Sequence, residues 1–152
     1  MNALDIHINL LIDYWKKQNI RIIPRTIAEI EDIEKTNKIV LPDDLKKLYS
    51  RVNGMDIRYS IDYDEQGFSF YPIEDIISST MKFPGHILAE KKSLYVFADY
   101  LTASWWYGVE VKADNKYTIG IIPHRDEFKP ITDSLSEFIE LYIADSPQLY
   151  DV

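Results

Sequence analysis

The stretch FADYLTASWWYGVEV, Phe97 to Val111, sets two tryptophans side by side in a segment that reads as a β-strand. Strands send successive side chains to opposite faces, so Trp105 and Trp106 must look in opposite directions. Leu101, Ala103, Trp105, Tyr107, Val109 and Val111 share one parity, which predicts the inward face. Thr102, Ser104, Trp106, Gly108, Glu110 and Lys112 share the other, and Trp106 is the odd member of that polar set. Two readings of it stand. Trp106 lies beneath the loop from Ser78 to Lys92, covered by its own chain, or it is an anchor that fills a partner's pocket.

The flanking segments extend a sheet from this strand. SLYVFADY is apolar on both faces and predicts an inner strand, while ADNK turns the chain so that YTIGII pairs back. Upstream, Ile57, Tyr59, Ile61 and Tyr63 alternate with Asp56, Arg58, Ser60 and Asp62, the pattern of a half-buried strand. DEQG then turns the chain and FSFY returns as a hairpin partner; Pro72 ends it, IEDII makes a short helical turn, and Ser78 to Lys92 reads as a loop.

Before the strands the period is helical. Leu4, Ile8, Leu11, Ile12 and Trp15 form one stripe from Ala3 to Lys17. RTIAEIEDIEKTN opens with Thr26 three residues before Glu29, a capping box, and carries Ile27, Ile30 and Ile33. In IVLPDDLKKLYSRVNGMD, Pro42 suits the first helical position, Asp43 and Asp44 complement the positive end of the helix, and Asn53 with Gly54 supplies a left-handed stop. A last helix starts at Asp133 or Ser134, with Glu137 completing a second box and Leu135, Phe138, Ile139 and Tyr142 facing inward. Helices first, strands next and a helix last predict an α+β fold: N-terminal helices, a mainly antiparallel twisted sheet of about five or six strands, and a C-terminal helix packed on it. At 152 residues, 46% of them hydrophobic, residues 1–152 are expected to form one domain.

Composition narrows the function. The absence of cysteine excludes disulfides, thiolate metal sites and thiol nucleophiles, and suits a reducing cytoplasm. The N-terminal segment, with Asp5 and Asp13 among its apolar residues, is not read as a signal peptide, and no apolar run reaches the roughly 20 residues of a membrane span. Seventeen Lys and Arg against 25 Asp and Glu give a formal charge of −8, which disfavours nucleic acid and favours basic partners.

In order along the chain, EIEDIEK, LPDDLKKLYSRVNGMD, YPIEDI, VFADYLTASWWYGV and ITDSLSEFIELYI resemble the SUKH superfamily, which includes yeast cell-wall-assembly regulators and many bacterial immunity proteins. The resemblance runs from Ile27 to Ile143, and its most specific part is the acidic helix, Leu-Pro, helix, Asn-Gly block. The family's usual glycine-rich stretch after the central strand appears here only as ADYLTASWWYG, so no ligand contact of that loop carries over. The resemblance implies an α+β fold and, for most bacterial members, binding and neutralisation of a toxin, often a nuclease, with no shared set of catalytic residues.

The residues themselves show no catalytic constellation. His7, His86 and His124 sit in separate segments, and His124 with Glu127 lacks a helix to converge them on a metal. Asp62, Asp64 and Glu65 crowd the DYDEQG turn, but a calcium loop needs further oxygen ligands at fixed positions, and Phe68 and Phe70 follow instead. There is no nucleophile elbow and no phosphate-binding glycine loop. No metal and no cofactor are expected. The expected activity is non-catalytic: an immunity protein that holds a cognate basic toxin, with Trp106 as anchor and Asp62, Asp64, Glu65, Asp99 and Glu110 as its charged rim. A regulatory scaffold is the alternative, and a small-ligand binder or enzyme using Tyr59, Asp99 and Trp106 is the third.

Overall fold

A computed structural model describes residues 2–55 and 63–152. The expected strand from Ile57 lies, apart from Tyr63, outside the described residues. Helix α1 (Ala3–Lys17) is capped by Asn2, whose side chain accepts from the Asp5 N–H, and buries Leu4, Ile8, Leu11 and Trp15. Helix α2 (Ile27–Asn37) has both halves of the Thr26–Glu29 capping box and ends at Lys38 in a left-handed conformation. Of its three isoleucines only Ile30 is fully buried, while Ile27 is exposed.

Helix α3 (Asp43–Arg51) begins after Pro42, which serves as the N-cap. It ends in extended backbone at Val52, and the left-handed residue comes two positions later at Gly54. A Cβ on Gly54 would stand 2.3 Å from the Tyr71 carbonyl oxygen, so a side chain is excluded there by backbone as well as by φ. Asn53 binds forward instead, its side-chain oxygen accepting from the Ile73 N–H at 2.8 Å.

The sheet is antiparallel throughout its described pairs. Strand β3 (Leu94–Tyr100) is shared on one edge by β1 (Phe68–Phe70) and β2 (Ile77–Ser78), and on the other by β4 (Trp105–Val111). Strands β5 (Tyr117–His124) and β6 (Glu127–Thr132) complete the order β1-β3-β4-β5-β6, and α5 (Leu135–Ile143) returns onto the sheet. The expected loop after Ile77 contains β2, a single turn α4 (Ser79–Lys82) capped by the Ser78 hydroxyl, and a 3-10 turn at Ile87–Glu90. Ser134, rather than Asp133, caps α5; its own N–H goes to the Thr132 hydroxyl at 3.1 Å, which replaces the second half of the expected box.

Register divides the side chains into two apolar layers. Phe70, Ala98, Tyr107 and Ile121 lie opposite one another across four strands and face the helices, where α1, α3 and α5 complete the main core. The other face carries a smaller cluster of Phe83, Leu88, Leu94, Val96, Trp106 and Ile122. Phenols are buried through the main core. Tyr107 donates to the Leu149 carbonyl at 2.5 Å, and Tyr49 to that of Tyr71 at 2.8 Å. Tyr142 donates to the carboxylate of Asp64.

Burial pushes the phenols of Tyr49, Tyr107 and Tyr142 well above the ordinary tyrosine value, and the neighbouring Asp64 charge adds to this at Tyr142. The folded state thus keeps protons that the unfolded chain releases above pH 10. The contribution of these groups is complete below that pH and is lost as pH rises above it. Urea unfolding at fixed salt should show stability insensitive to these phenols up to about pH 9, then falling with a slope approaching about 1.4 kcal/mol per pH unit for each buried phenol. Tyrosinate absorbance should appear together with unfolding rather than before it.

Candidate functional site

Two of the expected site residues, Asp99 and Trp106, meet on the outer face of the sheet. Ser69, Asp99, Trp106 and Ile122 are direct neighbours across β1, β3, β4 and β5, so their side chains form one row on that face. The parity assignment of the two tryptophans to opposite faces holds. Their burial is the reverse of what parity alone suggests, with Trp106 the more deeply covered.

Trp106 is only 7% exposed. Its ring meets Phe83 edge to face at 5.0 Å, and the Arg125 guanidinium lies 5.8 Å from its centroid. The covering segment is pinned to the β5–β6 turn: the Ile87 N–H donates to Asp126 Oδ1 at 2.8 Å and the Leu88 N–H to the Arg125 carbonyl at 3.3 Å. The Ile87 bond, with the nearby histidines, holds the Asp126 carboxyl below its ordinary value. Of the two readings of Trp106, cover by its own chain is the arrangement found. Trp105, expected in the core, is half-buried at the start of β4, stacked on Tyr100 at 4.8 Å with its Nε1–H donating to the Tyr107 hydroxyl at 3.0 Å.

The acidic residues separate. Asp64 is 2% exposed: Oδ1 accepts from the Gln66 and Phe68 N–H groups at 2.8 and 2.9 Å, and Oδ2 from Tyr142. It is a buried structural group and no member of a charged rim, because the backbone turn and α5 consume its lone pairs. Asp62 lies outside the described residues, as does Tyr59. Glu65 is exposed, with its N–H donating to Gln18 Oε1 at 2.8 Å. Glu110 is half-buried and paired with Lys91 Nζ at 2.7 Å. Asp99 accepts from the Tyr71 hydroxyl at 2.7 Å and lines an open groove of about 610 Å³ beside the covered row. Burial, followed by the bond to Asp99, raises the Tyr71 phenol, which stays a donor.

The groove is completed by residues that the strand pattern hid. Along with Asp99 it is lined by Tyr63, Gly67, Ser69 and the turn Leu101–Ala103. Parity extended β4 back to Leu101, whereas the strand begins at Trp105. Leu101, Thr102 and Ala103 all have left-handed backbone, with φ of 48, 54 and 64°, and the Ser104 N–H closes this turn on the Tyr100 carbonyl at 2.9 Å. LTAS carries no glycine, asparagine or aspartate to signal such a turn, and three consecutive L residues at positive φ store strain.

The histidines stay apart. His86 pairs with Asp126 and His124 with Glu127, each at 3.3 Å, the latter across the β5–β6 hairpin rather than along a helix. Among the described residues, no group of three or more His, Asp or Glu side chains converges as a metal site, and no helix is long and apolar enough to cross a membrane.

With the helices, the sheet and the closing helix in place, comparison with known families is decisive. Residues 24–141 match the model of the SMI1 / KNR4 family (SUKH-1). The chain belongs to this family. The match spans α2, the Leu-Pro and Asn-Gly block, the whole described sheet and most of α5. No curated protein matches the chain.

Three stability outcomes follow from this geometry. Trp106→Ala should cost about 3–5 kcal/mol in urea unfolding, as for other large buried aromatic truncations. Trp106→Phe should cost within about 1.5 kcal/mol, because the buried Nε1–H has no hydrogen-bond partner to lose. Thr102→Gly should raise stability by about 1 kcal/mol, since a β-branched residue gives up its left-handed strain there. A loss of stability in that variant would mean that the turn is not left-handed.

Proposed function

We propose that this chain is a non-catalytic binding protein, an immunity protein that neutralises a cognate basic toxin by occupying it rather than by turnover. Membership of the SMI1 / KNR4 family (SUKH-1) across residues 24–141 carries this reading. The SUKH resemblance supplies toxin neutralisation as the role of most bacterial members. The formal charge of −8 favours encounter with a basic partner and disfavours nucleic acid, and this action belongs in the cytoplasm, where a toxin that cleaves nucleic acid does its damage. Of the expected rim acids among the described residues, Asp99 and Glu65 remain open to a partner, with Glu110 reachable at the cost of its lysine pair. Trp106 supports the surface from beneath through its packing on Phe83.

The test is co-expression with the toxin domain encoded beside it, followed by calorimetry on the purified pair. Cells should survive toxin expression only when this protein is present, and the pair should bind one to one with a Kd below about 1 μM. A salt-dependent association rate should accompany binding. Toxicity unrelieved by the protein, with no heat of binding, sinks the immunity reading. Capture of host cell-wall regulators under the same conditions would favour the regulatory scaffold instead.

A further inference from the structure

Asp99 is a half-buried carboxylate whose charge no cation among the described residues matches. Tyr71 satisfies Oδ2 at 2.7 Å with a neutral hydroxyl, and among the described residues Asp99 takes part in no ion pair. By contrast Asp64 is satisfied by its three donors and Glu110 is paired with Lys91. A carboxylate withdrawn from water without a counter-charge is costly and favours any cation that can reach it. The groove of about 610 Å³ gives that access.

Its lining fits one kind of cation. The hydroxyls of Tyr63, Ser69 and Thr102 offer acceptors beside Asp99, and none of the described lining residues is positively charged. Leu101, 53% exposed, is held at the groove by its N–H, which donates to the Gly67 carbonyl at 2.9 Å. Tyr63, 58% exposed, adds an aromatic ring. An ammonium is a compact, strongly hydrated point charge; a guanidinium is planar, carries five donors and stacks on aromatic rings. Several acceptors with an aliphatic and an aromatic wall match the second, with the methylenes of its side chain lying along Leu101.

We infer that the Asp99 groove is a guanidinium site that receives an arginine side chain of the protein partner. This rests on the toxin-binding reading for the partner's identity, while the groove's preference for arginine stands on the residues alone. The strained Leu101–Ala103 turn is then the wall of a binding site, where held strain is expected, rather than an arbitrary hairpin loop.

The probe is Nα-acetyl-arginine amide, titrated into the full-length, 15N-labelled protein and followed by amide and indole chemical shifts. Saturable shifts are expected at Gly67 and at Asp99 through Ala103, with a Kd on the order of 1 mM, the range of a single small-molecule contact. The neutral citrulline analogue should produce no saturating response. Asp99→Asn keeps an oxygen for the Tyr71 hydroxyl, so its spectrum should overlay the wild type elsewhere while arginine binding weakens at least tenfold. No saturable response at these amides, or an equal response to citrulline or in Asp99→Asn, overturns the inference. The toxin is measured separately. Asp99→Asn should weaken toxin binding at least tenfold, and equal toxin affinity of the two proteins overturns the assignment to the partner. Arginine binding with no toxin capture refutes the immunity reading and leaves the groove standing; toxin capture without arginine binding does the reverse.

Discussion

The buried carboxylate of Asp64 ties together parts of the chain that are far apart in sequence. Its first oxygen closes the turn into β1 through two backbone N–H groups, and its second accepts the hydrogen bond of the Tyr142 hydroxyl from α5. Tyr142 in turn accepts from the Trp15 indole of α1 at 2.9 Å. An isolated carboxylate inside an apolar core would cost several kcal/mol, so it tolerates only the arrangement in which all three donors are present. Both helices are thereby registered against the edge of the sheet. The rings of Phe68 and Phe70 pack edge to face on Tyr142 at 5.1 and 4.8 Å, which fills the space around the polar link.

With the inner face fixed in this way, the outer face becomes the variable one. Part of it is sealed by Phe83 and Leu88 over Trp106, and the seal is fastened by backbone bonds to the β5–β6 turn. The cover stops short of the row's other end, where Ser69 and Asp99 line the open groove. A tryptophan without a partner for its Nε1–H, beneath a short irregular segment, is a packing element and marks where the covered part of the face lies.

Part of the positive charge is held in pairs on the protein itself. Lys47 reaches Asp5 at 2.7 Å, Lys46 reaches Glu34 at 3.2 Å, and Arg25 bridges Glu29 and Glu74 at 3.1 and 2.7 Å. Such exposed pairs contribute little to stability, but they remove cations from competition for acidic groups elsewhere. The excess of acidic residues therefore acts at long range to draw in a basic partner, while Asp99 supplies the short-range, partly desolvated contact.

The sequence by itself determined the elements whose signals are local. The Thr26–Glu29 box, the Trp15 stripe, the Leu-Pro and Asn-Gly block and the two-residue alternation in β4 each depend on neighbours within a few positions, and they specify the α+β order and the family. Tertiary structure decided what covers each face. Parity separates Trp105 from Trp106 but carries no information about a segment some twenty residues upstream that folds over one of them. Nor does it distinguish Asp64 from Glu65, adjacent acids in one turn, of which the first is buried by a tyrosine nearly eighty residues away and the second is left in solvent. The left-handed Leu101–Ala103 turn was hidden for a related reason: its residues continue the strand alternation, and only closure of the Ser104 N–H onto Tyr100 and of the Leu101 N–H onto Gly67 sets the backbone there. Local periodicity fixes which way a side chain points, whereas burial and charge pairing depend on long-range contacts that only the folded chain brings together.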